Sequence, residues 1–451
     1  MKPVALRLGE WIAALEFEAI PPEVVARAKD CLLDQIGCQI AGAGLPHLAP
    51  VLRHVRSLGG KTESSIVLGG DRTTAIYAAY ANASCGHGME FDDSHVICGH
   101  PGAVVIPACL AIAERDGLSG KDLMTGIVAG YQAMALGGGQ VHKAARRRGW
   151  HPMKFQGPFG AAGAVARLLR LDAIGTMNAL AIAGSEASGT MEYDQSGGEV
   201  KRVHAGSASR SGAQAALLAA EGLTGPATIF EGKRGIFNVF ADELDGDPEA
   251  LWNRDFHLRD TMFKLSPAVF TLHGAIQAAQ AIRDARSLDP ARIKSVEAEV
   301  SDLTMLHGAG IVHPADMIGA QFSLAFAVSC VLVRGRATLE DFADASAWRD
   351  PAIFALSDRI SVVRRDTSGG SELGGKVTVV LDDGTRLSQD RPIPRGHHEN
   401  PASSSDIADK FRTLMRGRIT DDRAERIAHC VATLETQRNC AALAELIGAP
   451  T

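Results

Sequence analysis

What this chain lacks narrows its class before any motif is considered. Aromatic residues make up only 5% of its 451 residues, and the eight cysteines are scattered, with no C-x-x-C pair and no zinc spacing. No apolar run reaches the ~18 residues that a membrane span needs, and the first 20 residues lack the apolar core of a signal peptide. We therefore expect free thiols in a reducing compartment, a cytoplasmic location and no membrane partner.

Two further absences argue against nucleic-acid and nucleotide partners. The net charge is −6, and the one basic block, Arg146–Arg148, has no interleaved aromatic residues. The glycine-rich stretches form neither a G-x-G-x-x-G after a strand nor a P-loop. With 46% apolar and 22% charged residues, the composition is that of a globular protein long enough for two domains.

The first 260 or so residues have helical periodicity. Apolar spacing after Pro21-Pro22 predicts one helix, and small residues dominate most of the later candidates, which favours close helix packing. Those candidates are Thr74–Ser84, Ala103–Arg115, Gly120–Ala135, Gly160–Arg170 and Ala173–Ser188.

The pattern changes after about Lys264. Ile293–Val300 alternates as a strand does, Ile360–Arg364 is a second short strand candidate, and Lys376–Leu387 predicts a hairpin that turns at Asp383-Gly384. A helix is expected at Ala320–Leu332. The predicted fold is therefore mainly α: a large all-helical bundle of residues 1–263 and 400–451, with residues 264–399 inserted as a smaller α+β lid domain.

The densest group of titratable residues lies between Met89 and Gly102. Glu90, Asp92 and Asp93 are followed by His95 and His100, and an apolar helix comes next. Carboxylates and imidazoles against a buried helix are costly unless they are paired or used. Two other interpretations stay open: the aspartates cap a helix, or the group binds a metal ion, although its spacing matches no standard site.

Four other polar groups come later in the chain. His151-Pro152 precedes a glycine-rich helix start, Lys201-Arg202 stands beside His204, and Lys264 is followed by His273. The fourth group contains His307 and His313-Pro314-Ala315-Asp316. A helix start offers free N–H groups to an anion. Taken singly, each histidine is as well explained as a turn or cap residue, and the two cations as an exposed helix end.

In order and spacing these groups resemble the MmgE/PrpD family, which includes 2-methylcitrate dehydratase, cis-aconitate decarboxylase and iminodisuccinate epimerase. The similarity spans nearly the whole chain. It is carried by the stretches Ile20–Cys38, Asn82–Pro101, Trp150–Ala162, Val200–Gly206, Gly222–Pro226 and Lys264–His273. The resemblance implies a large helical domain with a smaller α+β lid, and a homodimer.

The resemblance also implies a pocket of one acidic residue, three histidines and a lysine. By spacing these are Glu90, His100, His151, Lys201 and His273. The family's usual acid is Asp, and one extra methylene moves a carboxylate by about 1.5 Å, so Asp92 and Asp93 also stay candidates. Many members carry Tyr and Arg between positions equivalent to Lys264 and His273. Neither is present here, and a missing Arg removes a bidentate carboxylate clamp.

The chemistry that the resemblance implies is proton removal next to a carboxylate, or its reverse, without a cofactor or metal. We expect catalysis from Glu90, Asp93, His100, His151, Lys201 and His273, and binding of a small carboxylic acid by Asp92, Arg202, His204 and Lys264. Dehydration of a 2-methylcitrate-like acid is the leading expectation. Decarboxylation and epimerisation are the alternatives, and a non-catalytic acid-binding protein and a metal-dependent hydrolase are the alternatives of other classes.

Overall fold

The computed structural model describes residues 2–193, 198–285, 287–368 and 370–450. The chain forms two compact units, each described by itself. Unit 1 contains residues 1–88, 92–261 and 403–451, and unit 2 contains residues 89–91 and 262–402.

Unit 1 is helical, apart from two-residue strands at Ser64–Ser65, Arg72–Thr73 and Ser94–His95. Proline at the first helical position opens several of the helices, where its fixed φ and missing N–H cost nothing. The α-helices described are Val4–Ala14, Pro22–Ala43, Ala49–Leu58, Ala75–Gly86, Pro101–Asp116, Gly120–Gly138, His142–Arg147, Pro152–Phe155, Gly157–Leu168, Ala173–Gly184, Val200–Ala220, Ile236–Phe240, Pro248–Trp252, Ser404–Met415, Asp421–Ala432 and Ala441–Gly448.

Small residues let the central helices of unit 1 approach closely. A Cβ on Gly130 would lie 2.4 Å from a methyl carbon of Val105 and 3.0 Å from the carbonyl oxygen of Gly160. No side chain fits in that space, because real Cβ contacts are longer. The alanine- and glycine-rich composition thus specifies how near the helices Pro101–Asp116, Gly120–Gly138 and Gly157–Leu168 lie to one another.

Unit 2 is a smaller α+β unit. Its sheet has the strand order Ile360–Arg364, Ile293–Val300, Gly375–Leu381, Arg386–Arg391; the first pair is parallel and the other two are antiparallel. Its helices are His273–Ala285, Asp302–Gly308, Met317–Gln321, Leu324–Arg334, Leu339–Ala343, Ala345–Trp348 and Pro351–Ser357. One face of the central strands is buried with apolar residues of the first helix.

Most predicted elements of unit 2 are confirmed, and one is wrong. Val296, Ala298 and Val300 are buried as the alternation predicted, and the chain turns at Gly384, where φ is +83°. The single helix expected at Ala320–Leu332 is instead two helices. The break comes at Ser323, whose hydroxyl accepts a hydrogen bond from the N–H of Phe326 and so caps the second helix.

In the described part of the chain, no helix combines the length and apolarity that crossing a membrane requires. The mainly helical fold with a smaller α+β part agrees with the sequence-based prediction.

A buried ion pair ties the C-terminal helices into unit 1. Lys410, on Ser404–Met415, places its Nζ 2.6 Å from Oδ1 of Asp34 on Pro22–Ala43, and the two side chains are 4% and 0% exposed. Burial raises the pKa of Asp34 to about 6, and the charge of Lys410 works against that rise. The charge of Asp34 therefore depends on the cation beside it.

Replacing Lys410 alone should leave Asp34 buried without its cation. We expect Lys410→Met to lower the free energy of unfolding by about 3 kcal/mol, measured by urea denaturation. Arg412→Ala is the matched control on the same helix, because Arg412 pairs with Glu425 at 48% and 59% exposure and such pairs contribute at most about 1 kcal/mol. Equal losses in the two variants would contradict a stabilising role for the buried pair.

Candidate active site

Four histidines of unit 1 converge, and we call them the imidazole cluster: His87, His100, His151 and His204. Neighbouring ring centroids are 5.1 Å apart for His87 and His100, 6.3 Å for His87 and His151, and 4.9 Å for His151 and His204. All four stand at or near helix ends. His87 ends Ala75–Gly86, the prolines after His100 and His151 start new helices, and His204 is near the start of Val200–Ala220.

Asp92 holds two of these rings. Its carboxylate is fully buried, and its Oδ2 lies 2.8 Å from Nδ1 of His87 and 3.4 Å from Nδ1 of His100. His100 Nδ1 is also 2.6 Å from the backbone carbonyl oxygen of Asp93. A carbonyl accepts only, so Nδ1 of His100 carries the hydrogen. In the neutral ring Nε2 then has the lone pair, which is what a general base needs.

Asp93 lies behind this arrangement and is itself almost fully buried. Its Oδ2 accepts a 2.6 Å hydrogen bond from the Tyr131 hydroxyl, and its carboxylate oxygens are 3.0 and 3.2 Å from the N–H of Gly102. Burial, reinforced by the charges of Asp92 and Asp34, raises the pKa of Asp93 to about 8. The Asp93 carboxyl therefore retains a proton near neutral pH.

A hydrogen bond joins the rings of His151 and His204. Their Nδ1 atoms are 2.8 Å apart, so one donates and the other accepts. Burial lowers the pKa of His151 well below its usual value and that of His204 to about 4, and the neighbouring histidines add to both effects. Both rings are thus neutral near pH 7 and able to pass a proton. The ring of Tyr193 stands edge-on at 5.4 Å from His151 and 5.8 Å from His204.

Two cations come from the helix that carries His204. Arg202 is buried, donates through Nε to Glu199 Oε2 at 2.5 Å, and binds the carbonyl oxygen of Gly88 through Nη1. Its Nη2 is buried with no hydrogen-bond partner among the described residues. Lys201 is half-buried, and its charge is one of the smaller causes of the low pKa of His204.

The remaining predicted site residues belong to unit 2. Lys264 Nζ lies 2.9 Å from Oε2 of Glu90, with side chains 1% and 5% exposed. Glu90 has a φ of +52°, a backbone conformation that residues other than glycine, Asn and Asp rarely adopt. His273 is fully buried, stacks on Phe270 at 4.6 Å between ring centroids, and has Nε2 3.3 Å from the carbonyl oxygen of Ala268.

The predicted residues thus fall into two groups. The group in unit 1 contains Asp92, Asp93, His100, His151 and His204, and Lys201 and Arg202 lie on the helix of His204. The group in unit 2 contains Glu90 and Lys264, and His273 begins a separate helix there. Their roles stay predictions. His87, Asp92 and His100 have ligand atoms within 4.8 Å of one another, so this set also has the donors for a metal ion.

Sequence reasoning missed one member of the cluster, His87, and two residues around it, Tyr131 and Tyr193. His87 had a signal, because an imidazole between Gly86 and Gly88 comes only five residues before the carboxylate that binds it. Tyr131 is an apolar-face residue of Gly120–Gly138, 38 positions from Asp93, and nothing in its local pattern indicates that its hydroxyl is used.

Comparisons with known proteins agree with the motif resemblance. Residues 6–248 match the model described as the MmgE/PrpD N-terminal domain, and residues 266–436 match the MmgE/PrpD C-terminal domain. The cis-aconitate decarboxylase-like protein oryM of Aspergillus oryzae is 28% identical over 98% of this chain and 97% of its own length. The cis-aconitate decarboxylases of Mus musculus and Homo sapiens are each 26% identical over 100% of this chain, and over 94% and 96% of their own lengths.

These relatives are named for decarboxylation, a lyase reaction, and the predicted enzyme class, lyase, is confirmed. The first family model alone matches more than half of the chain, and the second follows it in the expected order. This protein therefore belongs to the MmgE/PrpD family.

Proposed function

We propose that this protein is a cofactor-independent carboxy-lyase that removes one carboxylate, as CO2, from a small unsaturated acid of the cis-aconitate type. The observation that carries the proposal is the imidazole cluster. In it, His100, whose tautomer is fixed, lies in one group with the neutral pair His151 and His204, so that several groups able to transfer a proton are close together. Relatives similar over the full chain are named for this reaction.

The reaction needs one bond broken and one proton delivered. The bond between carbon and a carboxylate breaks, CO2 leaves, and the electron pair left on the carbon skeleton takes up a proton. A neutral imidazole that receives protons from a neighbour is suited to that delivery. His151 is such a group, because its Nδ1 already meets Nδ1 of His204 at 2.8 Å.

The other carboxylates of the substrate need cations. Lys201 and Arg202 supply them in this proposal, and the Nη2 of Arg202 has hydrogens to donate to an incoming oxygen. Glu199 and the Gly88 carbonyl fix the guanidinium in advance, which lowers the entropy cost of binding. From the resemblance, Glu90, Lys264 and His273 are proposed to act in the same reaction.

Dehydration, the leading expectation from the sequence, has less support than decarboxylation. Five relatives that match this chain over nearly their full lengths are named as cis-aconitate decarboxylases or as a decarboxylase-like protein. A cytoplasmic location and a homodimer are further proposals, the first from composition and the second from the family resemblance. Size-exclusion chromatography with light scattering tests the dimer, which should elute at about twice the 47.5 kDa of one chain.

Product analysis in deuterated water tests the reaction type. With cis-aconitate as substrate, 13C and 1H NMR should show CO2 released, one fewer carboxylate in the product, and one solvent deuteron on its carbon skeleton. Addition or loss of water without CO2 would instead support a dehydratase. Binding without product or deuterium exchange would support an acid-binding protein. Either outcome contradicts the proposal. 2-Methylcitrate and an amino-dicarboxylate are the comparison substrates.

Single substitutions test the residue assignment. We expect His151→Gln and Lys201→Met each to lower kcat by at least about 100-fold, because one removes a proton donor and the other a substrate cation. His54→Gln and Lys143→Met change the same residue types at exposed positions of unit 1 and should retain the wild-type rate. Circular dichroism verifies folding, and wild-type rates in folded His151→Gln and Lys201→Met would overturn the assignment.

A further inference from the structure

A second group of ligand-type side chains lies outside the imidazole cluster. His95, His257 and Asp260, all in unit 1, each offer one ligand atom, and these atoms lie within 4.8 Å of one another. The three residues are 3%, 1% and 8% exposed. We call them the His95 triad. It joins the segment that carries Asp92 and Asp93 to the short 3-10 helix His257–Asp260.

The backbone fixes the tautomers of both imidazoles. Nε2 of His95 lies 2.9 Å from the carbonyl oxygen of His257, and Nε2 of His257 lies 3.0 Å from the carbonyl oxygen of Leu251. Carbonyls only accept, so both Nε2 atoms carry hydrogens, and in the uncharged form of each ring the lone pair is on Nδ1. An N–H donated to a backbone carbonyl is the usual outer contact of a metal-binding histidine.

Nothing in the described part of the chain uses the lone pair of His257. Its Nδ1 is buried and has no hydrogen-bond partner among the described residues. The lone pair of His95 accepts the N–H of Ile97 at 3.3 Å, the long end of the hydrogen-bond range, and a bound metal ion would replace that donor. A buried acceptor without a donor is costly, and a cation would remove that cost.

Asp260 completes the set with a negative charge. The Arg254 guanidinium contacts both of its oxygens, each at 3.0 Å, and so fixes the plane of the carboxylate. Each oxygen keeps a further lone pair. Two imidazole nitrogens and one carboxylate oxygen, with a water in the fourth position, are a ligand set that zinc-class ions accept.

We propose that the His95 triad binds one divalent transition-metal ion of the zinc and cobalt class, as a structural site separate from the candidate active site. Ligand bonds of about 2.0–2.2 Å to nitrogen and oxygen place the ligand atoms nearer to each other than 4.8 Å, so binding draws the three residues together. The ion holds the segment that follows Asp93 against the helix His257–Asp260 and does not enter the reaction.

Metal analysis of the full-length protein tests this proposal. After chelation and dialysis, the chain should rebind about one equivalent of Zn2+, by elemental analysis, with a higher melting temperature. Co2+ in the same site should give visible absorption bands of a four-coordinate ion. His257→Gln should lose the bound ion, the bands and the rise in melting temperature. Asp260→Asn keeps the side-chain shape and is the second variant, in case His257→Gln does not fold.

Two control variants locate the ion. His397→Gln disrupts the other histidine group, His397, His398 and Glu399 of unit 2, and should keep the full equivalent. His87→Gln removes a ligand from the imidazole cluster and should also keep it. Loss of the ion in either control with retention in His257→Gln would overturn the proposal, as would no tight Zn2+ or Co2+ binding to the wild-type chain.

Discussion

The buried carboxylate of Asp92 is the constraint on which the candidate active site depends. An ionised carboxylate with no access to water is stable only when donors surround it, and here His87 and His100 approach its Oδ2 at 2.8 and 3.4 Å. One ring ends the helix Ala75–Gly86 and the other precedes Pro101–Asp116. The same carboxylate therefore sets the position of two helix ends and the orientation of two imidazoles. Asp93 extends the constraint, because its carbonyl oxygen holds His100 while its side chain binds Tyr131.

Features with a local cause could be predicted from the sequence. The strand Ile293–Val300 follows from the two-residue period of its apolar residues. The turn at Asp383-Gly384 follows from the positive φ that glycine allows, and the proline-led helices follow from the fixed φ of proline. The break at Ser323 could not be predicted, since the stretch around it is mostly apolar and the capping role of the Ser323 hydroxyl shows only in the structure. The pairs Glu90 with Lys264 and Asp34 with Lys410 join residues 174 and 376 positions apart, which no local pattern encodes. Likewise, the motifs indicated the histidines of the site, but not that two of them meet through Nδ1.

Glu90 illustrates how the structure sharpens a sequence departure. The resemblance identified it as a longer acid where relatives carry Asp. Its carboxylate is in fact bound by Lys264 at 2.9 Å, and its backbone is left-handed. A buried carboxylate that is already paired with a cation is less available as a base, whereas the fixed tautomer of His100 puts the lone pair of its uncharged ring on Nε2. In our account imidazoles therefore carry the proton transfer, and Glu90 and Lys264 form a charge-matched pair.

The central claim is that His151 and His204 are neutral and that one hydrogen bond between them fixes their tautomers. 15N NMR of protein labelled at histidine, assigned by single His→Gln variants, measures this directly. Because burial lowers the pKa of His151 and brings that of His204 to about 4, both should be neutral at pH 7 and still neutral at pH 6. One of them should carry its hydrogen on Nδ1 and the other on Nε2, and His204 should become protonated only as the pH falls to about 4. An imidazolium signal from either ring at pH 7 would contradict the account.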